Sequence, residues 1–307
     1  MRTTFINELI LLARENPKIF LVVGDLGFSV IEPFAEEFPD RYLNAGVAEQ
    51  NMTTVAAGLA SEGYHVFTYS IANFPTLRCF EQIRNDVAYH NLPVTVVAVG
   101  GGVAYGNLGY SHHAVQDIAV LRTLPNLTVF SPADPGETAQ CLRLALQRGR
   151  PSYLRLGKAG EAKLHEPAAI DQGPVQVRAG TAAIAFAATG SVLKSALQAA
   201  EILAQRGISP AVYSCPVLAS EFAGGFEKLW RHPKIISVEE HGLAGGFGSF
   251  LKELCPANIQ IHACAIPESN SGLVGSQSYL WQKAGLDADS LAQVAATMLA
   301  AGGDLRV

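Results

Sequence analysis

The chain has 307 residues, of which 49% are apolar and only 16% charged, so it can bury a large core, and its length favours two domains over one. A net charge of -5 and the absence of any run of Lys or Arg argue against a nucleic-acid surface or an anionic-membrane surface. No apolar run approaches the roughly 20 residues that span a bilayer, and the first residues lack the layout of a secretory leader. The five cysteines carry no CxxC spacing. A cytoplasmic protein with reduced thiols and no cysteine metal site is expected.

From Met1 to about Lys158, short apolar runs alternate with helical patterns. Thr4 to Arg14 reads as a helix. Ile19 to Gly24 reads as a buried strand that runs into the turn Gly24-Asp25-Leu26-Gly27, and Tyr42 to Ala45 as a short second strand. The alanines and single glycine of Asn51 to Ala60 suit a helix packed closely on a sheet. Strands follow at Val66 to Tyr69, Val94 to Val99, Thr128 to Phe130 and Ser152 to Leu156, with helices over Leu77 to Tyr89 and Pro135 to Gln147. This alternation predicts βαβ units in a mainly parallel sheet.

Ala159 to Gly180 is polar and turn-rich, with Glu166-Pro167 and Gly173-Pro174, and reads as a linker with room for one edge strand. The alternation then restarts. Ala182 to Ala188 is a strand, Thr189-Gly190-Ser191 a turn, and Val192, Ala196, Ala199, Ala200 and Leu203 form one face of a helix. Strands at Ala211 to Ser214 and Lys234 to Glu239 and a helix near Asp289 to Ala300 complete the pattern. The expected fold class is α/β with two domains, each a mainly parallel sheet flanked by helices: residues 1–160, a linker over 161–180, and a smaller domain over 181–307.

The segment Asn44-Ala45-Gly46-Val47-Ala48-Glu49-Gln50-Asn51-Met52 places a lone carboxylate where an extended stretch becomes a helix. Backbone N–H groups at a helix start favour the ionised acid. Burial under a flat apolar ligand pushes the other way and keeps a proton available for a heterocycle's ring nitrogen. An acid in the first helical turn is also ordinary, so the residue types alone leave both roles open.

Four blocks occur in order: Val23-Gly24-Asp25-Leu26, then Gly46 to Met52, then Phe74 to Arg84 (FPTLRCFEQIR), then Tyr110-Ser111-His112-His113 followed by Leu124-Pro125-Asn126. Together they resemble the pyrimidine-binding domain of transketolases, and the remainder is similar to the transketolase C-terminal domain. The likeness covers nearly the whole chain. It implies that thiamine diphosphate is the cofactor and that Glu49 hydrogen-bonds its aminopyrimidine ring and drives the imino tautomer. It also implies that Phe74 stacks on that ring, with Phe80 the alternative, and that Asp25 and Arg78 lie on the cofactor side. Ser29 and Lys158 match phosphate contacts, a turn hydroxyl and a cation after a strand. His112 matches a histidine that faces the thiazolium and the donor's oxygens, and His113 takes that role if the loop shifts. His65, His90 and His165 match no motif.

Two positions depart from the family. Leu108 stands where relatives carry an acid that reads sugar hydroxyls, and Gly100 where they carry a phosphate-holding histidine. Gly24-Asp25-Leu26-Gly27 lacks the paired asparagines that complete the family's magnesium segment. The resemblance therefore implies a beta subunit of a split transketolase: a separate alpha subunit holds the diphosphate and magnesium, and self-association gives an alpha2beta2 heterotetramer. The second domain is then expected to support dimer contacts. Glu239-Glu240-His241-Gly242 with Gly245, Gly246 and Gly248 reads as a structural, glycine-rich helix start, with anion binding the alternative. The implied reaction moves a two-carbon ketol unit from a ketose or ketose phosphate to an aldose. The rival is the beta chain of a 2-oxo-acid dehydrogenase first component, against which Ser111-His112 and Asp117-Ile118-Ala119 stand; a non-catalytic assembly subunit is the third reading.

Overall fold

The computed structural model describes residues 1–166 and 168–300, so Pro167 of the expected linker and the expected domain tail 301–307 lie outside the described residues. The first half runs α1 (Arg2–Glu15), β1 (Ile19–Val23), α2 (Glu32–Glu37), β2 (Tyr42–Asn44), α3 (Glu49–Ser61), β3 (His65–Ile71), α4 (Phe80–Gln82), β4 (Val94–Val99), α5 (Asp117–Leu121), β5 (Thr128–Phe130), α6 (Pro135–Arg148) and β6 (Ser152–Leu156). The second runs β7 (Val175–Arg178), β8 (Ile184–Thr189), α7 (Leu193–Ala204), β9 (Ala211–Ser214), β10 (Val217–Leu218), β11 (Lys234–Gly242), α8 (Phe247–Leu254), β12 (Gln260–Ile266), α9 (Gln277–Lys283) and α10 (Ala288–Ala300). The strands form a seven-stranded sheet, order β10-β5-β6-β4-β3-β1-β2, and a five-stranded sheet, order β12-β11-β8-β9-β7. Both are parallel except for β10 against β5 and β7 against β9. The α/β class with two mainly parallel sheets is thus as expected, and no described helix is long and apolar enough to cross a membrane.

Side chains alternate across each strand, and the alternation assigns each sheet two covered faces. Val97, Val99, Phe130, Leu154 and Leu156 point into one cluster with Phe5 and Leu9 of α1 and Leu142 of α6. Val22, Val66 and Val94 pack on the small face of α3, Met52, Ala56, Ala57 and Ala60. Val96, Ala98, Val129 and Tyr153 face a third cluster that also holds Ala185, Ala187 and Ile235 of the second sheet and Phe247 of α8. One core therefore runs through both domains. The remaining face of the second sheet, Phe186, Ala188, Ile236 and Val238, is covered by α7 and α10 through Ala196, Leu203, Leu291 and Ala295.

The structure corrects several expected elements. The helix over residues 77–89 is not continuous: 73–79 is turned, α4 is short, and the chain continues as a π-helical stretch over Ile83–Ala88. Thr76 Oγ1 donates to Ala72 O at 2.5 Å and Cys79 Sγ to Phe74 O at 3.3 Å, side-chain bonds that compete with a regular helical ladder. The segments α2, β10, β12 and α9 were not expected, whereas α8 begins within the glycine-rich helix start read from the sequence. Two residues are too few for β10 to show a period, and β10 crosses to the first sheet although it follows β9 of the second. In β12 burial alternates from exposed to partly buried, which conceals it. The edge strand anticipated within the linker is β7.

Candidate active site

Glu49 is the first residue of α3 and is 3% exposed. It lies at the C-terminal end of β1, where Ala45 N–H donates to Val23 O at 2.9 Å and the chain swings into the helix. A Cβ added at Gly24 would touch Glu49 Cγ at 3.4 Å and Ser70 Oγ at 3.5 Å, so the acid's stem is pressed between β1 and β3. Arg78 Nη1 donates to Glu49 Oε2 at 2.8 Å. No hydrogen bond from a described residue reaches Oε1. The guanidinium of Arg78 also sits 4.8 Å from the centre of the Phe74 ring, and Phe74 meets the His112 ring edge-on at 5.4 Å. Ser111 Oγ lies 3.0 Å from His112 Nδ1. Four candidate residues, Glu49, Arg78, Phe74 and His112, thus form one connected row.

The row exists because the turned segment after β3 and the loop after β4 are tied together. Asn73 Nδ2 donates to His113 O at 2.7 Å and to Ser111 O at 3.2 Å. Asn73 was not singled out from the sequence. A polar residue between a buried strand and an aromatic block was its only signal.

Other candidates stand elsewhere. His113 is buried, and burial pushes its pKa down. Its ring lines a separate cavity of about 710 Å³ between the domains, with Val103, Val115, Leu243 and Leu280. Neighbouring histidines therefore serve opposite sides of one loop. Phe80 packs on the shared core, leaving Phe74 as the aromatic beside Arg78. Asp25 and Ser29 both have left-handed backbones, at φ 55 and 64. Asp25 is engaged reciprocally by Asn44, whose Nδ2 donates to Oδ1 at 2.9 Å, while Ser29 N–H donates to Glu32 Oε1 at 2.7 Å. Lys158 follows β6, which β4 and β3 separate from β1, about 14 Å at the usual strand spacing. It lines a cavity of about 400 Å³ with Ser191, Lys194, Gln277 and Trp281. Leu108 is exposed, and Gly100, at φ 89, has a physical reason to lack a side chain: a Cβ there would lie 2.2 Å from the Tyr105 ring. Among the described residues no group of three or more His, Cys, Asp or Glu could hold a metal ion.

Sequence reading also missed a buried polar network between the domains. Asp117 Oδ2 accepts from Arg155 Nε at 2.7 Å and from Tyr153 Oη at 2.5 Å. Arg155 Nη2 donates to Glu240 O of β11 at 2.8 Å. Burial pushes Glu240 upward and Glu239 up to about 7. Glu239 accepts from Phe247 N–H and Gly248 N–H at the start of α8, so the anion at that glycine-rich helix start is this chain's own carboxylate. The available signal was Glu239-Glu240-His241 closing an apolar strand.

A two-sheet α/β chain with a buried acid at the C-terminal edge of its larger sheet is the class this geometry defines. Residues 1–160 match the family model of the transketolase pyrimidine binding domain, and residues 173–290 that of the transketolase C-terminal domain. The chain is 33% identical over 283 residues to one of the apulose-4-phosphate transketolase subunits of Actinobacillus succinogenes, covering 91% of each chain. It is 33% identical over 301 residues to the 1-deoxy-D-xylulose-5-phosphate synthase 1 of Geobacter sulfurreducens, covering 95% of this chain and 47% of that one. A solved split gene transketolase, an inactive beta4 tetramer, matches at TM-score 0.82 with 32% identity over 95% of each chain. The chain belongs to the transketolase family.

Proposed function

We propose that this chain is the catalytic beta subunit of a two-chain, thiamine diphosphate-dependent transketolase that transfers a two-carbon ketol unit from a ketose or ketose phosphate to an aldose. The observation that carries the proposal is the row Glu49, Arg78, Phe74 and His112 at one sheet edge, with Glu49 buried and its Oε1 without a described protein donor. The pyrimidine half of the cofactor fits these residues: an unpaired carboxyl oxygen of a buried acid to meet a ring nitrogen, beside a half-buried aromatic ring. The diphosphate half does not fit: no described cluster suits magnesium, and Asp25 is already held by Asn44. This supports an alpha subunit that binds the diphosphate and magnesium; we propose an alpha2beta2 assembly in the cytoplasm.

When bound, the cofactor supplies a carbon nucleophile for the donor carbonyl. Arg78, fixed on Oε2, turns the Glu49 carboxyl so that Oε1 is left for the ligand, and Glu49 holds or releases a proton there. Phe74 keeps water from that contact. His112, its Nδ1 beside the Ser111 hydroxyl, has Nε2 free to steady an oxygen of the substrate. Leu108 accepts no hydrogen bond, which supports a donor without the hydroxyl usually read at that position.

The test is reconstitution with an alpha chain and assay of ketol transfer from xylulose phosphate or a deoxy sugar. Pyruvate decarboxylation with an artificial acceptor runs in parallel. Transfer without pyruvate oxidation is expected; the reverse result would assign the chain to the 2-oxo-acid dehydrogenases.

A further inference from the structure

We propose that Glu240, from the second domain, is a positioning residue for the loop that carries His112, so that the second domain shapes the reaction site besides supporting assembly. This rests on the functional reading above.

The loop leaves and re-enters the first domain at a two-residue stem. Gly102 N–H donates to Ala114 O at 3.1 Å and Ala114 N–H to Gly102 O at 2.7 Å. Both sides of the stem press on Glu240. Its Oε1 accepts from Val103 N–H at 2.8 Å on the outgoing side. Its backbone oxygen accepts from Arg155 Nη2, and the same Nη2 donates to Ala114 O at 2.9 Å on the returning side. Two residues on, Gly242 N–H donates to Val115 O at 2.9 Å. The approach is so close that a Cβ on Gly102, whose φ is 66, would sit 2.3 Å from Glu240 Cγ.

The clamp is itself held. Glu240 is 2% exposed, and its carboxylate receives Gln277 Nε2 at 2.9 and 3.1 Å and Ser191 Oγ at 3.2 Å, all from the second domain. Arg155 is anchored in the first domain by Asp117. The far end of the loop is fixed by Asn73 to the segment bearing Phe74 and Arg78. His112 thus meets Phe74 in an orientation set from two directions, one of which is Glu240. A displacement of about 1 Å at such a group can cost on the order of 100-fold in rate, so the clamp has kinetic consequences without touching substrate.

The experiment compares Glu240→Ala, Glu240→Asp and Glu240→Gln in the reconstituted two-chain enzyme. Ala removes the acceptor for Val103 N–H. Asp keeps the charge and retracts the oxygen, and Gln keeps the size and one oxygen to accept from Val103 N–H, replacing the other acceptor by a donor. The expected result is a fall in kcat of about tenfold or more for Ala and Asp, with thiamine diphosphate affinity within about twofold and kcat of Gln within about threefold of the parent. The His112 ring signal of the full-length beta chain, assigned with His112→Asn, should shift in the Ala and Asp variants and stay in place in Gln. A kcat within about twofold for Ala and Asp together with an unmoved His112 signal would overturn the proposal. So would a loss that follows only the fraction of folded complex, including failure of all three variants to assemble. If the parent complex shows no ketol transfer, the functional reading fails, and the His112 signal still decides whether Glu240 sets the loop.

Discussion

Arg78 Nη1 stands 2.8 Å from Oε2 of Glu49, so the acid that opens α3 is met by a cation 29 residues further on, beyond β3. The pair is asymmetric: the glutamate side chain is 3% exposed and the arginine 49%. A pair open to water on one side is stabilised weakly, typically under about 1 kcal/mol. Its value lies in direction, since it leaves one carboxyl oxygen for a ligand.

Glu49→Gln should separate chemistry from stability. In the reconstituted enzyme kcat should fall by at least about 100-fold, the usual scale of a lost proton-transfer group. The melting temperature of the beta chain should stay within a few degrees of the parent, as the modest worth of the ion pair requires. Turnover at the parental rate would remove Glu49 from the mechanism and leave an assembly role for this chain.

Arg78→Ala should weaken thiamine diphosphate binding to the complex by about tenfold or more, because it strands the buried carboxylate and removes the cation over Phe74. Arg78→Lys should recover only part of this, since an ammonium can pair with Oε2 but lacks the planar face that lies over the ring. Calorimetric titration of the cofactor reads both. Equal affinities for all three proteins would dismiss the row as a structural contact.

Burial alone holds His65 down to about 4 from 6.5, with Nε2 at 2.9 Å from Thr95 Oγ1. A depressed histidine stays neutral when folded but takes a proton when unfolded. Stability from this group is therefore present above pH 6.5 and lost as pH falls from 6.5 towards 4, a change of about 3 kcal/mol by linkage. Glu239, raised to about 7 by burial, acts with the opposite sign: its folded form keeps a proton that the unfolded form gives up, so its contribution declines as pH rises from 4.5 to about 7. The two trends overlap, so the informative quantity is the difference between parent and His65→Gln. Denaturant titrations at pH 7 and pH 5 should show the variant losing less stability on acidification; parallel losses would exclude a neutral buried His65.

Gly246→Ala and Gly58→Ala should move stability in opposite directions. A Cβ on Gly246 would lie 2.1 Å from Glu239 Oε2, the oxygen that accepts Phe247 N–H, so the carboxylate must leave the start of α8. The expected cost is about 2–4 kcal/mol, the scale of a buried charged hydrogen bond lost together with steric strain. Nothing lies within 4 Å of a Cβ on Gly58 in α3, and alanine there should add about 0.5–1 kcal/mol by helix propensity. Urea midpoints measure both.

Local pattern made much of the fold legible. The strands over Val94–Val99, Thr128–Phe130, Ser152–Leu156 and Ala211–Ser214 fall where their apolar runs and flanking turns place them. Elements escaped where the pattern is short, half exposed or interrupted: the two residues of β10, the alternating β12, and the turned segment 73–79. The blocks around Glu49, Phe74, Arg78 and His112 were also visible, and they converge because β1 and β3 are neighbours and Asn73 ties the next loop to them.

The sequence by itself determined the class of fold, the places of most strands along the chain and the types of residue available for chemistry. Those follow from the backbone period and from the composition of each segment, which are local. Only the tertiary structure decided that His113 lines a cavity between the domains while His112 meets Phe74, that Lys158 stands several strands away from Glu49, and that Glu240 of the second sheet grips the stem of the His112 loop. Each depends on which strands lie side by side and on how two sheets share one core, and packing between residues far apart in the chain sets those relations.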